Sequence, residues 1–469
     1  MKKIGRREFA GATLAGSLML GGALTKAGDG KRPNIIYILL DDAGYGDLSC
    51  YGQKKFKTPN MDRLADEGIK FTSHYSGSTV CAPSRCSLMT GRHTGHTVVR
   101  GNRSMKPEGQ YPLPDGAVTV AGILQKAGYR TGAFGKWGLG PPGSAGDPRN
   151  QGFDEFFGYI CQSIAHNYYP EYLWHNGEKV MLNHKTYSHD LIMEKALEFV
   201  RDNREGPFFC YLPVTIPHAS MHVPRESKKR FKKEFWQYSL MPGIYDGRPV
   251  LNPVAAFAGM MTRLDSQIGT LLDLLLELGI DENTVVMLSS DNGPHKEGGH
   301  LPSFFDSNGP FRGHKRDLYE GGIRVPMLAR WPGRIRPRTE TGHQSAFWDV
   351  MPTMCDIAGV SAPEGIDGIS FAPTLSGKEG KQKEHEYLYW EFHEQGGKQA
   401  VRKGDWKAVR LGVARDKDAP IELYDLARDP DESDDVSAAH PDVVKEMARI
   451  MEEAHEPSEE FDLFDSGLF

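Results

Sequence analysis

The sequence has little cysteine and no cysteine pattern. Cys50, Cys81, Cys86, Cys161, Cys210 and Cys355 are scattered over 469 residues, with no Cys-x-x-Cys and no Cys/His zinc spacing. This argues against a disulfide framework and against a zinc ribbon. An excess of positive charge is also missing. Lys and Arg total 56 against 62 Asp and Glu, a net charge of -6, so no global basic field points to nucleic acid. Past the N-terminus no apolar run is long enough to span a membrane, and no internal repeat is visible. What is present is ordinary for a globular chain: 39% hydrophobic and 25% charged residues. The length fits two or three domains, or one large α/β domain with an appendage. Gly (53) and Pro (30) are plentiful, which predicts many loops, and loops carry chemistry in α/β proteins.

The first residues, MKKIGRREFAGATLAGSLMLGGALTKAG, place Arg6-Arg7 before a weakly apolar Gly/Ala-rich run. This resembles a twin-arginine export signal over residues 1–27, with cleavage placed after Ala27. It predicts a partnership with the twin-arginine export machinery and a periplasmic or secreted protein.

NIIYILL (34–40) and TVVMLSS (284–290) are continuous apolar runs suited to strands buried on both faces. PFFCYLPV reads as a third strand, and a fourth ends at Gly135-Lys136. Helices are expected from Pro59 with Thr58 as cap, before Gly128, from Ser188 to Asn203, and from Val254 to Leu278. Alternating strands and helices predict a doubly wound, mostly parallel sheet with helices on both faces. Ligands of such sheets bind beyond the carboxyl ends of the strands. After about Gly377 the texture changes to short strands and a final helix. The expected division is a catalytic domain over 30–377 and a small C-terminal antiparallel sheet-and-helix domain over 378–469.

Asp41-Asp42 and Asp291-Asn292 each follow an apolar strand. Together they make an all-oxygen donor set, the preference of Ca²⁺ or Mg²⁺ rather than Zn²⁺. Arg85, Lys136, His218 and Lys315 lie in loops or at strand ends of the same inferred edge. A divalent metal with several cationic side chains suits a small tetrahedral anion, a sulfate or phosphate group.

STVCAPSRCSLMTGR (78–92) contains CAPSR followed by LMTGR. With LLDDAGYGDLSCYG, GYRTGAFGKWGLG, SSDNGPH and KRDLYEGGIRVP in order, the chain resembles the formylglycine-dependent sulfatases of the alkaline phosphatase superfamily over nearly its whole length. The resemblance implies an alkaline phosphatase-like fold. It implies that a formylglycine-generating enzyme oxidises Cys81 to an aldehyde, whose hydrate supplies the nucleophile. It also implies that Asp41, Asp42, Asp291 and Asn292 hold one Ca²⁺, with the Cys81 side chain beside it and Mg²⁺ the alternative ion. Arg85 would steady the nucleophile, Lys136, His218 and Lys315 would bind sulfate, and His218 or Lys315 would protonate the leaving alcohol. Cys86, Cys210 and Cys355 read as packed apolar residues.

One position departs from the family pattern. Many members carry His two residues after the motif lysine, and here that residue is Gly138. His93, His295 or water are candidate replacements for that base. For the substrate, a sulfated carbohydrate is expected ahead of a simple aryl sulfate, with galactose or N-acetylgalactosamine 4-sulfate as the specific reading. Candidate contacts are His166 and Asn167, Arg100 and Asn102, His295, and His393 and Gln399 in the small domain. The rival activity is phosphate or phosphonate monoester hydrolysis on the same scaffold.

Overall fold

The structure, a computed structural model, describes residues 31–465; the export-signal segment 1–27 lies outside the described residues. Ten strands form the central sheet: β1 (Asn34–Asp41), β2 (Ile69–Phe71), β3 (Arg130–Lys136), β4 (Glu155–Tyr159), β5 (Tyr172–His175), β6 (Glu178–Met181), β7 (Phe208–Pro217), β8 (Thr284–Ser290), β9 (Met327–Arg330) and β10 (Thr339–Thr341). Their spatial order is β10-β2-β9-β8-β1-β7-β3-β4-β5-β6. The centre, β8-β1-β7-β3-β4, is parallel throughout. Antiparallel pairs β9–β8, β9–β2, β5–β4 and β6–β5 lie toward the edges.

The continuous apolar run of β1 follows from its position. Ile36, Ile38 and Leu40 belong to one core and Ile35, Tyr37 and Leu39 to the other, as the two-residue period of a strand requires. Each fully buried aliphatic side chain contributes about 1.5–3 kcal/mol, so a strand apolar on both faces holds two helical layers at once. The first core takes in α1 (Pro59–Asp66), part of α4 (Ser188–Asp202) and the long α6 (Pro253–Glu277). The second takes in α2 (Cys81–Thr90), α3 (Val120–Lys126) and α7 (Val350–Ala358). The remaining helices of interest are α5 (Arg225–Glu234) and α8 (Pro441–Glu453). Among the described residues, no helix is long and apolar enough to cross a membrane.

One expected cap is replaced. The Thr58 hydroxyl accepts the backbone N–H of Ser49 (2.8 Å) and makes no cap bond to α1. The free N–H groups of Asn60 and Met61 are instead bonded by Asp265 of α6, each at 2.9 Å. A carboxylate at a helix N-terminus satisfies orphan donors and the helix dipole together, and a tertiary partner of this kind has no local sequence signature.

The small C-terminal sheet is antiparallel, in the order β11 (Leu388–Phe392), β12 (Lys398–Lys403), β13 (Trp406–Leu411) and β14 (Ile421–Asp425). One face packs on α8. The other packs on Tyr75, Val80, Leu318 and Trp348 of the large domain. Trp390 donates to the Ser76 carbonyl (2.9 Å), close in sequence to Cys81. All six cysteines are free, and Cys86, Cys210 and Cys355 are buried.

The inter-domain contact contains buried charge. Lys407 Nζ lies 2.9 Å from Glu320 and 3.4 Å from Glu432. Burial, with the Glu320 charge beside it, pushes Glu432 up to about 7 against the pull of Lys407. A carboxyl raised above its unfolded value makes the folded state bind more protons than the unfolded one. Its contribution is therefore complete below the unfolded value near 4.5 and is lost as pH rises through about 7. The thermal midpoint of the wild type is expected to fall more between pH 5 and pH 8 than that of Glu432→Gln, measured by calorimetry on both proteins.

Candidate active site

The strand register brings the expected site together. Leu40 of β1 pairs with Ser290 of β8, so Asp41-Asp42 and Asp291-Asn292 leave neighbouring strands at one edge. β7 ends at Pro217, just before His218, and β3 ends at Lys136. Cys81 is the first residue of α2, which points its N-terminus, the positive end of its dipole, at this edge. Lys315 arrives on the loop after β8, its N–H bonded to the Pro294 carbonyl.

These side chains form one buried ionic cluster. Lys136 Nζ is 2.8 Å from Asp41 Oδ2 and 3.3 Å from Cys81 Sγ, which lies 3.5 Å from Asp41 Oδ1. Arg85 grips Asp291 Oδ2 through Nε (3.0 Å) and Nη2 (2.7 Å) and donates to the Lys136 carbonyl (2.6 Å). Lys315 Nζ is 2.8 Å from Asp42 Oδ2 and 3.0 Å from His218 Nε2. His218 Nδ1 bonds the Ala219 carbonyl. The neutral His218 tautomer therefore carries its proton on Nδ1 and offers the Nε2 lone pair to Lys315.

Burial sets the electrostatics. It pushes Asp41 up to about 7, with Lys136 opposing and Asp291 reinforcing. It also works against Asp42, but Lys315, His295 and Lys136 overcome it and hold that carboxyl below the usual range. Burial pushes the Cys81 thiol up to about 12 in spite of Lys136 and Lys315. It holds His218 well below its ordinary value, aided by the Lys315 charge.

The donor set fits a hard cation. Asn292 Nδ2 donates to Asp42 Oδ1 (2.7 Å) and to the Gly293 carbonyl (2.9 Å), which fixes the amide orientation. Asn292 Oδ1 is then a buried acceptor with no partner. Buried acceptors are rarely left unpaired, and this one sits beside the Asp42 carboxylate. One ligand atom each from Asp41, Asp42, Cys81 and His218 lies within 4.8 Å of the others. Asp291 differs: both its oxygens already accept bonds, Oδ1 from the Asp42 N–H and Oδ2 from Arg85. Three carboxylates (Asp41, Asp42, Asp291) face three cations (Arg85, Lys136, Lys315). A bound divalent ion would turn this neutral cluster into one that attracts an anionic ester.

Other expected site residues are placed differently. His166 stacks flat on His218, with ring centroids 4.0 Å apart, and its Nε2 is unpartnered. His295 lies 5.8 Å from His218, but its Nδ1 accepts the Glu297 N–H and its Nε2 faces the Pro217 carbonyl. Neither nitrogen is free to act as a base. His93 lies beyond the C-terminal end of α2, and Cys81 begins that helix, so ten residues at 1.5 Å rise separate them by about 15 Å. The His93 ring instead lies 4.1 Å from that of His96, tilted by 31°, and borders Asp367.

Arg100 is 3% exposed. It bonds the Thr97 and Glu456 carbonyls. His393 is buried beside Glu391 (3.4 Å), and Gln399 donates to Tyr389. Asn167 Oδ1 accepts the Tyr169 N–H in a local turn. Asn102 Oδ1 accepts the Ala82 N–H (3.0 Å), capping α2 one residue after Cys81, and its own N–H donates to Glu394 of the small domain. The polar groups of Arg100, Asn102 and Asn167 are engaged in holding loops, which sequence alone does not distinguish from contact with a ligand.

Reasoning from sequence missed Gln162 and Tyr245. A Cβ on Gly138 would lie 2.7 Å from Gln162 Nε2, and φ at Gly138 is +83°. Gln162 therefore fills the room that a side chain at 138 would need, and its Nε2 is buried without a partner. The only available signal was position: Gln162 follows β4 as Gly138 follows β3. Tyr245 sets its ring edge against His166 and His218 at 5.3 and 5.6 Å.

Comparison with known proteins agrees with this geometry. The sulfatase family model matches residues 33–360, and a model described as N-sulphoglucosamine sulphohydrolase, C-terminal, matches 311–457. The N-acetylgalactosamine-6-O-sulfatase of Bacteroides thetaiotaomicron is 29% identical, over 90% of this chain and 93% of that protein. The N-acetylgalactosamine-6-sulfatase of Rattus norvegicus is 33% identical, over 75% and 67%. The crystal structure of Ps i-CgsB with k-i-k-neocarrahexaose superposes with a TM-score of 0.77 at 28% identity, over 90% and 92% of the two chains. The site is that of an enzyme that hydrolyses sulfuric esters. The chain belongs to the sulfatase family, within the alkaline phosphatase superfamily.

Because Gln162 occupies the space beside residue 138, Gly138→His is expected to lower both the thermal midpoint and turnover. Adding Gln162→Gly should recover part of the midpoint. The left-handed backbone at 138 would still cost about 1–2 kcal/mol. Calorimetry on the single and double variants checks this, and an undiminished midpoint in Gly138→His would contradict it.

Proposed function

We propose that the protein is an exported carbohydrate sulfatase that removes a sulfate ester from a galactose or N-acetylgalactosamine residue of a glycan. The observation that carries this is Cys81, in its CAPSR context, at the start of α2, with Lys136, Asp41 and the Lys315–His218 pair around it. The names of the relatives support a carbohydrate ester. They also favour position 6 over the position 4 expected from the sequence, and we adopt position 6.

In this reading Cys81 is converted to formylglycine by a maturation enzyme, and the aldehyde hydrate supplies the attacking hydroxyl. A Ca²⁺ held by Asp41, Asp42, Asp291 and Asn292 would act as a Lewis acid on the sulfate oxygens and favour ionisation of the nearby hydroxyl. The chain's own groups do the rest. Arg85 ties Asp291 to the Lys136 carbonyl and so fixes two walls of the site relative to each other. Lys136 Nζ, 3.3 Å from Cys81 Sγ, offers positive charge where negative charge develops. Lys315 and His218 sit together across from Asp42; the first holds a proton and the second can pass it to the departing alcohol oxygen. His166, flat against His218, keeps that ring from turning.

Export rests on Arg6-Arg7 and the apolar run behind them; replacing both arginines by lysine should leave the protein in the cytoplasm on fractionation. The mature, modified enzyme is expected to desulfate N-acetylgalactosamine 6-sulfate or galactose 6-sulfate faster than the 4-sulfates, and both faster than the matching phosphate esters. Sulfate release across that panel tests it. A preference for phosphate would replace this reading with phosphate monoester hydrolysis, and a preference for the 4-sulfate would overturn the regiochemistry alone.

A further inference from the structure

The chain is acidic overall, yet one surface beside the site is strongly basic. Helix α5 reads RESKKRFKKE, six cations against two carboxylates. Phe231 is its one buried residue, so the helix is anchored by a single face. Arg225, Lys229, Arg230, Lys232 and Lys233 are exposed. Its two acidic residues are engaged by arginines: Glu234 lies 3.8 Å from Arg230 and Glu226 lies 3.7 Å from Arg263. Among the described residues, no ion pair involves Lys229, Lys232 or Lys233.

This surface is continuous with the site. His218 lies seven positions before Arg225. The hairpin of Pro242–Tyr245 and Arg248–Leu251 joins the two: Tyr245 meets the His166 and His218 rings, Ser220 Oγ donates to the Tyr245 carbonyl (3.1 Å), and Lys228 Nζ donates to the Leu251 carbonyl (2.9 Å). Apolar side chains are concentrated on the same segment. Trp236 is 71% exposed, Leu240 90%, and Ile244 and Leu251 64% each. Scattered exposed apolar residues are normal, but a cluster next to a charged patch marks a binding surface.

We propose that α5 and this hairpin bind the non-reacting stretch of a polyanionic sulfated glycan chain whose sulfated residue enters the site. The inference rests on the carbohydrate reading given above and extends it from one sugar to a polymer. A sulfated chain offers what the surface lacks: repeated negative charges for unpaired lysines, and the apolar faces of sugar rings for Trp236. Unpaired surface lysines also raise the local concentration of a polyanion, an effect that weakens with salt. Such binding is equal in ground and transition states, so it lowers KM for chains without raising kcat. An anionic membrane surface is the rival occupant, because basic segments with exposed Trp and Leu also bind lipid interfaces. Continuity with His166 and His218 of the site favours the glycan.

The test uses the full chain carrying Lys229→Gln, Lys232→Gln and Lys233→Gln. The substitutions keep good helix formers in α5, and a Lys→Glu set serves as the second variant. Binding to long chondroitin 6-sulfate chains is measured in a Cys81→Ala background at two salt concentrations, beside binding to phosphatidylglycerol vesicles. Removing three polyanion contacts should weaken chain binding about tenfold or more at low salt and flatten its salt dependence. kcat/KM on a sulfated monosaccharide should stay unchanged in the Cys81-containing enzyme. Unchanged chain binding in both variants would overturn the proposal. So would loss of vesicle binding with glycan binding intact, which would assign the patch to a membrane. If the wild type turned over no sulfated sugar, the carbohydrate reading would fail, while the Cys81→Ala binding data would still decide the patch.

Discussion

Three carboxylates and three cations buried at one edge of a parallel sheet are the constraint on which the rest of the structure depends. Taking ions out of water costs several kcal/mol each unless partners stand at hydrogen-bond distance. Asp41, Asp42 and Asp291 meet that condition only because Lys136, Lys315 and Arg85 reach them from three other segments. None of these pairs is local in sequence. The sheet must first set β1 beside β8 and β7, in the observed register, before the charges can find each other. The apolar content of β1, buried in two cores, is thus a condition for the site and not a separate matter of stability.

The small domain is tied into the same arrangement. Glu394 accepts from the Asn102 N–H, Asn102 caps α2 at Ala82, and α2 begins with Cys81. Trp390 adds a second tie through Ser76. The position of the reactive residue is therefore fixed from two domains, by the hydrogen bonds of Asn102 and Trp390 on one side and by the ionic cluster on the other. Glu320, Lys407 and Glu432 bury charge again where the two domains meet.

Much of this was legible in the sequence because it rests on short-range pattern. NIIYILL and TVVMLSS announced buried strands, and the oxygen donors directly after them marked the edge where a cation would sit. CAPSR singled out Cys81 from Cys86, which is packed in the second core. Long-range choices were not legible. Asp265 as the cap of α1, Gln162 in the space beside Gly138, and Arg100 bonded to the Glu456 carbonyl each depend on a partner dozens to hundreds of positions away. The loop polar residues expected as substrate contacts share one ambiguity: Asn, Arg and His serve loop structure and ligand binding with the same atoms. His93 is set apart from the site by α2, because Cys81 opens that helix and His93 lies beyond its other end.

The central claim is that no thiol remains at position 81 in the working enzyme. A buried thiol pushed up to about 12 is a poor nucleophile near neutral pH, whereas an aldehyde hydrate at the same place brings a hydroxyl to the ionic cluster. Mass spectrometry of the peptide containing residue 81, from active enzyme made in its native host, tests this directly. The account predicts that one sulfur and two hydrogens are exchanged for one oxygen at Cys81, with Cys86 unchanged and the peptide reactive toward a hydrazide. Active enzyme with an intact Cys81 thiol would contradict it.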